Sequence, residues 1–229
     1  MLNRIRRSGR FLAVLAVPVL AAGCNDDNDN ITTPPEPGLA QSRVIHLSPD
    51  APAVDVSVNG AVAVEDAAYL DATGFLPVPA GDARFTVTPA NQTSPVVIDA
   101  TVPLGVGAYY TVVATGFLAD IEPLVLVDDR STSGQAKIRF VHTSADAPAV
   151  DVALTGGPVL IGAVPFRGAS EYISVEGGTY DLEVRVAGTE TVALSLPGTM
   201  LMGGTNYTIF ATGLLADGSL GALPVIDAP

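Results

Sequence analysis

Two halves of this sequence repeat each other with a period close to 97 residues. Three segments return in the same order: 43–56 as 139–152, 78–87 as 175–184, and 110–120 as 207–217. A period of this length is that of a whole domain, because the repeats of a solenoid are only about 20–45 residues long. The chain is therefore expected to contain two copies of one domain.

Within each copy, apolar and polar residues alternate with a period of two. Val54, Val56 and Val58 have polar residues between them, and the same alternation runs through 180–186. Clusters of Gly, Pro, Asn and Asp separate such stretches, so each copy is predicted to hold about seven short strands. The prediction is an all-β chain with two tandem antiparallel immunoglobulin-like β-sandwich domains. A helical pattern is present only near 64–72.

The domain boundary is predicted in the polar, charged stretch 128–134, which ends in glycine. This places the first sandwich at 41–130 and the second at 135–228. Because the connection is short, we expect the two sandwiches to touch.

Composition excludes several classes of protein. The chain has 11 Lys+Arg against 24 Asp+Glu, and its formal charge of −13 repels nucleic acid. One Cys among 229 residues cannot form an internal disulfide or a Cys-cluster metal site. With 48% hydrophobic residues, the fold can be held together by burial and hydrogen bonds.

The N-terminus predicts export. Residues 1–23 carry four arginines, an apolar run at 11–20 and three small residues at 21–23, which together indicate a signal peptide. The uncharged stretch 11–23 would span about 20 Å as a helix, too little for a bilayer core of roughly 30 Å. We therefore do not expect a permanent transmembrane helix.

The segment resembles a bacterial lipoprotein signal, with Ala21 where the usual pattern has Leu. This resemblance implies a covalent diacylglycerol on Cys24, which would become the first mature residue, and no other cofactor is expected. Asn25 follows it, which favours the outer membrane if the cell has one. An ordinary signal peptide followed by an idle Cys24 is the alternative.

Removal of residues 1–23 would take away four of the 11 basic residues and none of the acids, so that the formal charge of −13 would become −17. Residues 24–40 are polar and Pro-rich, and they predict a disordered tether with a reach of up to about 55 Å.

The repeated motifs resemble those of the domain of unknown function 4397 family. They are the His-x-Ser-x-Asp-Ala-Pro string within 43–56, the glycine turn at 79–81 and the Ala-Thr-Gly-x-Leu-Ala-Asp string within 110–120, together with their second copies. The resemblance covers about residues 40–228 and implies a secreted or lipid-anchored bacterial β-sandwich, often in tandem. It implies no functional residue.

The candidate site residues lie in the first repeated string: His46, Asp50 and Asp55 in one copy, and His142, Asp146 and Asp151 in the other. One His with two carboxylates suits zinc, manganese or iron, and calcium if the His is left out. With Ser48 and Ser144, a hydrolase triad is a further alternative. The favoured interpretation is a structural turn in which the Asp side chain accepts backbone N–H groups. Loop acids that are further candidate calcium ligands are Asp120, Glu122, Asp128 and Asp129.

These observations predict a lipid-anchored cell-envelope protein that serves as a non-catalytic binding, adhesion or structural module. Its expected partners are the membrane, through the lipid, and an unknown protein or glycan at the cell surface or in the periplasm. One alternative is a metal-dependent binding module. The other is an envelope glycan hydrolase, which would need two carboxylates about 5–9.5 Å apart.

Overall fold

The computed structural model describes residues 38–229, and nearly every regular element in them is a β-strand. The strands of the first domain are β1 (Leu39–Leu47), β2 (Val54–Val58), β3 (Ala61–Ala67), β4 (Leu76–Pro79), β5 (Gly81–Pro89), β6 (Ile98–Leu104), β7 (Tyr109–Thr115) and β8 (Glu122–Val127). Those of the second are β9 (Ala136–His142), β10 (Val150–Leu154), β11 (Val159–Val164), β12 (Ile173–Val175), β13 (Gly178–Val186), β14 (Val192–Leu201), β15 (Asn206–Thr212) and β16 (Gly221–Ala228). A single 3-10 turn at Leu118–Asp120 is the only helical element of the described residues.

Each domain is a pair of four-stranded sheets with the same strand order. The first domain has the orders β4-β1-β7-β8 and β3-β2-β5-β6. The second has β12-β9-β15-β16 and β11-β10-β13-β14, which is the same topology displaced by eight strands. The prediction of an all-β chain with two tandem sandwiches is therefore confirmed.

The sheets are not wholly antiparallel, and each domain has eight strands rather than about seven. β1 pairs with β7 in parallel, and β9 pairs with β15 in parallel, at the centre of their sheets. Both faces of these strands are buried, so their sequences lack the alternation that indicates a half-exposed strand. Without that alternation, the sequence carried no sign of a central parallel pair.

The helical pattern near 64–72 is not a helix. Residues up to Ala67 belong to β3, and Ala72 forms an isolated bridge with Ile45. The pairing of β2 with β3 shifts register twice, between Val54 and Ser57. Such bulges break the two-residue period, and this explains the wrong expectation.

The predicted N-terminal features fall almost entirely outside the described residues. The signal peptide, Cys24 and most of the tether lie before residue 38. Residues 39 and 40, which the prediction placed in the tether, belong to β1.

The two sandwiches touch, as the short connection suggested. Each has its own core, around Phe85 in the first domain and Phe140 in the second. A third apolar cluster lies between the domains. Its members come from the sheet of each domain that contains the parallel strand pair, here named the central sheet: Ile45, Leu47, Val113, Leu126, Val141 and Phe210. The central sheets therefore pack on the opposite domain with the face that does not enter their own core.

Candidate functional site

The two candidate histidines lie at equivalent corners of the two domains, at or near the end of the first strand. The Nε2 of His46 donates to the carbonyl of Pro52 at 3.1 Å, and its Nδ1 lies 3.4 Å from the backbone N–H of Ser48. His142 repeats the arrangement with Pro148 at 3.0 Å and Ser144 at 3.4 Å. Each ring therefore stabilises the turn of its own motif, which follows β1 in the first domain and β9 in the second.

Burial lowers the pKa of both imidazoles, against the opposing effect of the carbonyl that each ring contacts. Both side chains are almost completely inaccessible to water. A neutral ring that donates from Nε2 and accepts at Nδ1 has both nitrogens engaged with backbone. This geometry fits a structural histidine.

The first acid of each motif joins the two repeated strings of its domain. Asp50 accepts from the backbone N–H of Leu118 at 2.7 Å. Asp146 accepts from Leu215 at 2.7 Å and from Ala216 at 2.8 Å. The expected backbone donors are present, but they belong to the loop after β7 or β15 rather than to the turn that carries the acid.

Burial opposes ionisation of Asp146, but the hydrogen bonds from the backbone N–H groups of Leu215 and Ala216, together with weaker ones from its own backbone and from Ser144, lower the pKa of this carboxyl. The carboxylate therefore stays charged at neutral pH and ties two loops together.

The second acid of each motif bridges two other segments. Asp55 accepts from the N–H of Asp66 and of Asn91, each at 2.8 Å. Both donors have a positive φ, which costs free energy for residues other than glycine. A carboxylate that binds both N–H groups compensates for part of that cost.

Asp151 plays the same role in the second domain. It accepts from the N–H of Ala163 at 2.6 Å and of Gly188 at 2.8 Å, and these two bonds lower the pKa of its carboxyl. Ala163 and Gly188 also have a positive φ.

The candidate residues are thus spread over separate turns instead of converging on one point. Asp50 and Asp55 bind different loops, and the ring of His46 faces Pro52. Across residues 38–229, no group of three or more His, Cys, Asp and Glu side chains is placed to hold a metal ion. The same spread describes the second copy.

A set of buried charges that the sequence analysis missed lies between the two domains. Arg43 of β1 donates from Nε to Thr111 at 2.7 Å and from one terminal nitrogen to the carbonyl of Ile226 at 2.9 Å. Its other terminal nitrogen pairs with Asp227 of the second domain. All three side chains that form this set, Arg43, Thr111 and Asp227, are buried.

An arginine of the second domain makes the equivalent contacts with the first domain. Arg139 donates to Thr208 at 3.0 Å, to the carbonyl of Val127 at 2.9 Å and to Asp128 at 2.6 Å. Each arginine thus binds a threonine of its own domain and an aspartate of the other. The contact is self-complementary, like the interface of a two-fold symmetric dimer.

Aromatic rings complete this interface. Arg43 lies over Phe75 at 4.8 Å from the ring centroid, and Arg139 lies over Tyr172 at 4.6 Å. The hydroxyl of Tyr172 donates to Asp227 at 2.7 Å, and burial raises the pKa of this phenol. We name these residues and their partners the interdomain network: Arg43, Phe75, Thr111, Asp128, Arg139, Tyr172, Thr208 and Asp227.

The connection between the domains is also held in place. The sequence position of Asp128 had suggested an exposed loop acid that could bind calcium. Its side chain is instead buried in the interdomain network. Lys137 donates to Asp129 at 2.6 Å and to the carbonyl of Ser131 at 2.8 Å. The hydrogen bond from Lys137 is the largest cause that lowers the pKa of Asp129 to about 2. The amide of Asn206 donates to the carbonyls of Asp129 and Ser131.

One signal in the sequence could have revealed the interdomain network. Arg43 and Arg139 stand at the same place in the two copies, inside strands whose other residues are mostly apolar. A repeated charge in a buried strand needs a buried partner. The partners could not be identified, because they lie up to 184 residues away.

Comparison with known proteins finds one matching family model. The model of the family described as "Domain of unknown function (DUF4397)" matches residues 40–153. No curated protein matches the chain. A solved structure described as "The Bacillus anthracis TIE protein" is 10% identical, with a TM-score of 0.24 over 77% of this chain and 34% of that one. The chain spans about a third of the length of that structure. Among residues 38–229 there is no helix of the length and hydropathy needed to cross a membrane.

Proposed function

We propose that this chain, which resembles the DUF4397 family over residues 40–153, is a non-catalytic module of the bacterial cell envelope anchored by a lipid on Cys24. It presents two joined sandwiches to a protein or glycan partner, and Asn25 directs it to the outer membrane where the cell has one. The proposal rests on the family resemblance, on the N-terminal sequence and on the roles of the repeated polar residues.

The proposal of a non-catalytic protein rests on one observation: the repeated polar side chains are hydrogen-bonded to backbone groups. His46, Asp50 and Asp55 all bind backbone groups of neighbouring loops, and their second copies do the same. Groups committed to backbone hydrogen bonds serve the scaffold. The repeated motif is therefore explained by the stability of the loops it holds.

The interdomain network supports the presentation of one body to a partner. Two sandwiches joined only by a flexible connection would move independently. Here the buried pairs Arg43–Asp227 and Arg139–Asp128 fix one domain on the other. A fixed pair of domains offers a partner one continuous surface without further cost in ordering.

The anchoring part is tested by metabolic labelling of the full chain. The chain is expressed in a Gram-negative bacterium with radioactive palmitate, beside the variant Cys24→Ser. We expect label in the wild-type protein, its recovery with the outer membrane, and no label in the variant. The lipoprotein signal-peptidase inhibitor globomycin should cause the unprocessed wild-type chain to accumulate.

An unlabelled wild-type protein recovered from the soluble periplasm would contradict the lipid anchor. The Cys24→Ser variant is a suitable control because it leaves residues 38–229 unchanged, and its fold can be compared by circular dichroism.

A further inference from the structure

We propose that the end of the molecule at which β1 and β9 begin, here named the tether end, rests on the lipid bilayer through exposed apolar side chains on two loops and on the ends of neighbouring strands. This inference deepens the proposed function, since it assigns the anchored protein an orientation on its membrane. The loops are 105–108, between β6 and β7, and 202–205, between β14 and β15.

The strand pairings place both loops at the same end. In the first domain, the N–H of Gly107 donates to the carbonyl of Leu39 at 2.8 Å, at the start of β1. In the second, the N–H of Gly204 donates to the carbonyl of Gln135 at 3.0 Å, just before β9. The short connection between the domains joins these two points, because the N–H of Asp128 donates to Tyr109 beside the first loop.

Large apolar side chains are exposed at this end. Val106, between two glycines at the tip of its loop, is 73% exposed, and Leu39 beside it is 53% exposed. In the second domain Met200 is 68% exposed and Met202 is 53% exposed. The opposite end exposes Leu70, Leu118 and Leu215 to 37–43%, less than any of these four, so the more exposed apolar side chains lie at the tether end.

The place where the described chain begins identifies what covers this surface. Residue 38 lies at the tether end, where its carbonyl accepts from the N–H of Ala80 at 2.7 Å. Only 13 residues separate Cys24 from this point. A lipid on Cys24 would therefore attach the described domains to the bilayer at the tether end.

Charge favours the same orientation. Near the tether end, Asp128 and Asp227 are buried against arginines, and Asp129 is paired with Lys137. Asp82 and Glu176 are exposed there. The opposite end carries more acids on its loops, namely Asp50, Asp71, Asp120, Asp146 and Asp217. An anionic membrane would repel that end more strongly, so the protein is oriented with its acidic loops away from the lipid.

The opposite end is built by different contacts and remains free in this orientation. Arg167 donates to the carbonyl of Asp120, and the hydroxyl of Tyr69 accepts from Gly213. These contacts join loops 68–71 and 165–168 to the loops after β15 and β7. The end that carries both repeated Leu-Ala-Asp strings therefore faces the partner.

The absence of Trp from the sequence makes a direct test simple. Residues 24–229 contain the whole compact unit 36–229. Single Trp reporters are placed at Val106→Trp and Met202→Trp, with Leu118→Trp and Leu215→Trp at the opposite end as matched controls. Each chain is coupled through Cys24, the only thiol, to maleimide-phosphatidylethanolamine in vesicles that contain phosphatidylglycerol.

Lipids brominated on the acyl chain should quench the tether-end reporters about twofold and shift their emission to the blue, because interfacial side chains penetrate about 5–10 Å. The controls should stay unquenched. If none of the four reporters were quenched, the tether end would not contact the bilayer. If all four were quenched equally, the protein would have no preferred orientation. Either result would overturn the proposal.

A second measurement avoids the added Trp. Hydrogen–deuterium exchange of the unmodified sequence, coupled in the same way, should slow in loops 105–108 and 202–205 when vesicles are present. Slowing at other segments only, or of the same loops without lipid at higher protein concentration, would assign this surface to another contact and overturn the proposal. Because the coupling is chemical, failure of cells to lipidate Cys24 would contradict the proposed anchor without affecting this test.

Discussion

His46 and His142 are neutral because burial lowers their pKa, and this state has a consequence for stability. A folded protein that binds a proton less tightly than the unfolded chain loses stability as the pH falls below the unfolded pKa of about 6.5. Stability from these residues is therefore complete above about pH 6.5 and decreases below it.

We expect the free energy of unfolding in urea to decrease between about pH 7.5 and about pH 5.5, before most carboxylates begin to protonate. In His46→Gln and His142→Gln the decrease should be smaller, because one titrating imidazole is absent. Unfolding curves at the two pH values measure the difference. The same pH dependence in wild type and both variants would show that the rings do not titrate as proposed.

Asp146 and Asp151 affect stability at lower pH and with the same sign, because the pKa of each carboxyl is lowered. Hydrogen bonds from Ala163 and Gly188 lower the pKa of Asp151, so its contribution is present above about pH 4 and is lost as the pH falls further. The sequence indicated backbone bonds for the Asp-Ala-Pro turn. It could not indicate the donors, because Leu118 lies 68 residues from Asp50.

Among the elements, β2 and β3 show how an irregular strand is held. Their pairing shifts register at Val54 and Val56, and Asp66 in β3 takes a positive φ. Asp55 binds the N–H of Asp66 and of Asn91 beyond β5. The bulge between β2 and β3 is therefore stabilised by Asp55, which is itself a residue of the repeated motif.

The variant Asp55→Ala removes the acceptor for both N–H groups and should lower the free energy of unfolding by about 1–3 kcal/mol. Asp55→Asn retains one carbonyl oxygen and should lower it less. Chemical denaturation of both variants measures the two losses. Equal stability of Asp55→Ala and wild type would show that the bridge contributes nothing measurable.

Four of the strands at the edges of the sheets contain a proline. Pro103, Pro123, Pro197 and Pro224 lie in β6, β8, β14 and β16, each of which pairs on one side only. Proline lacks a backbone N–H and discourages the addition of a further strand. We therefore do not expect β6, β8, β14 or β16 to pair with a strand of another chain.

The whole molecule is organised around the contact between its two copies. Replacing one member of a buried charge pair leaves the other uncompensated, which costs about 3–5 kcal/mol. Asp227→Asn and Asp128→Asn should both lower the free energy of unfolding by such an amount, because their contacts mirror each other. The exposed pair Arg84–Asp99 provides a control, and Asp99→Asn should lower the free energy of unfolding far less than the two buried substitutions do.

Urea or guanidinium unfolding of the three variants tests this prediction. Losses at Asp227 and Asp128 no greater than at Asp99 would show that the interdomain network does not hold the domains together. A second transition that appears only in the network variants would show that their loss uncouples the domains.

Local patterns in the sequence determined the duplication and the β-strand class, and they are the basis of the predicted boundaries and of the expected exported, lipidated N-terminus. They could do so because period, turn composition and segment order are properties of neighbouring residues. The strands whose two faces are buried gave no such pattern, and the parallel pairing of β1 with β7 was decided by packing. The interdomain network was also decided there, since Arg43 and Asp227 meet only when both central sheets are in place.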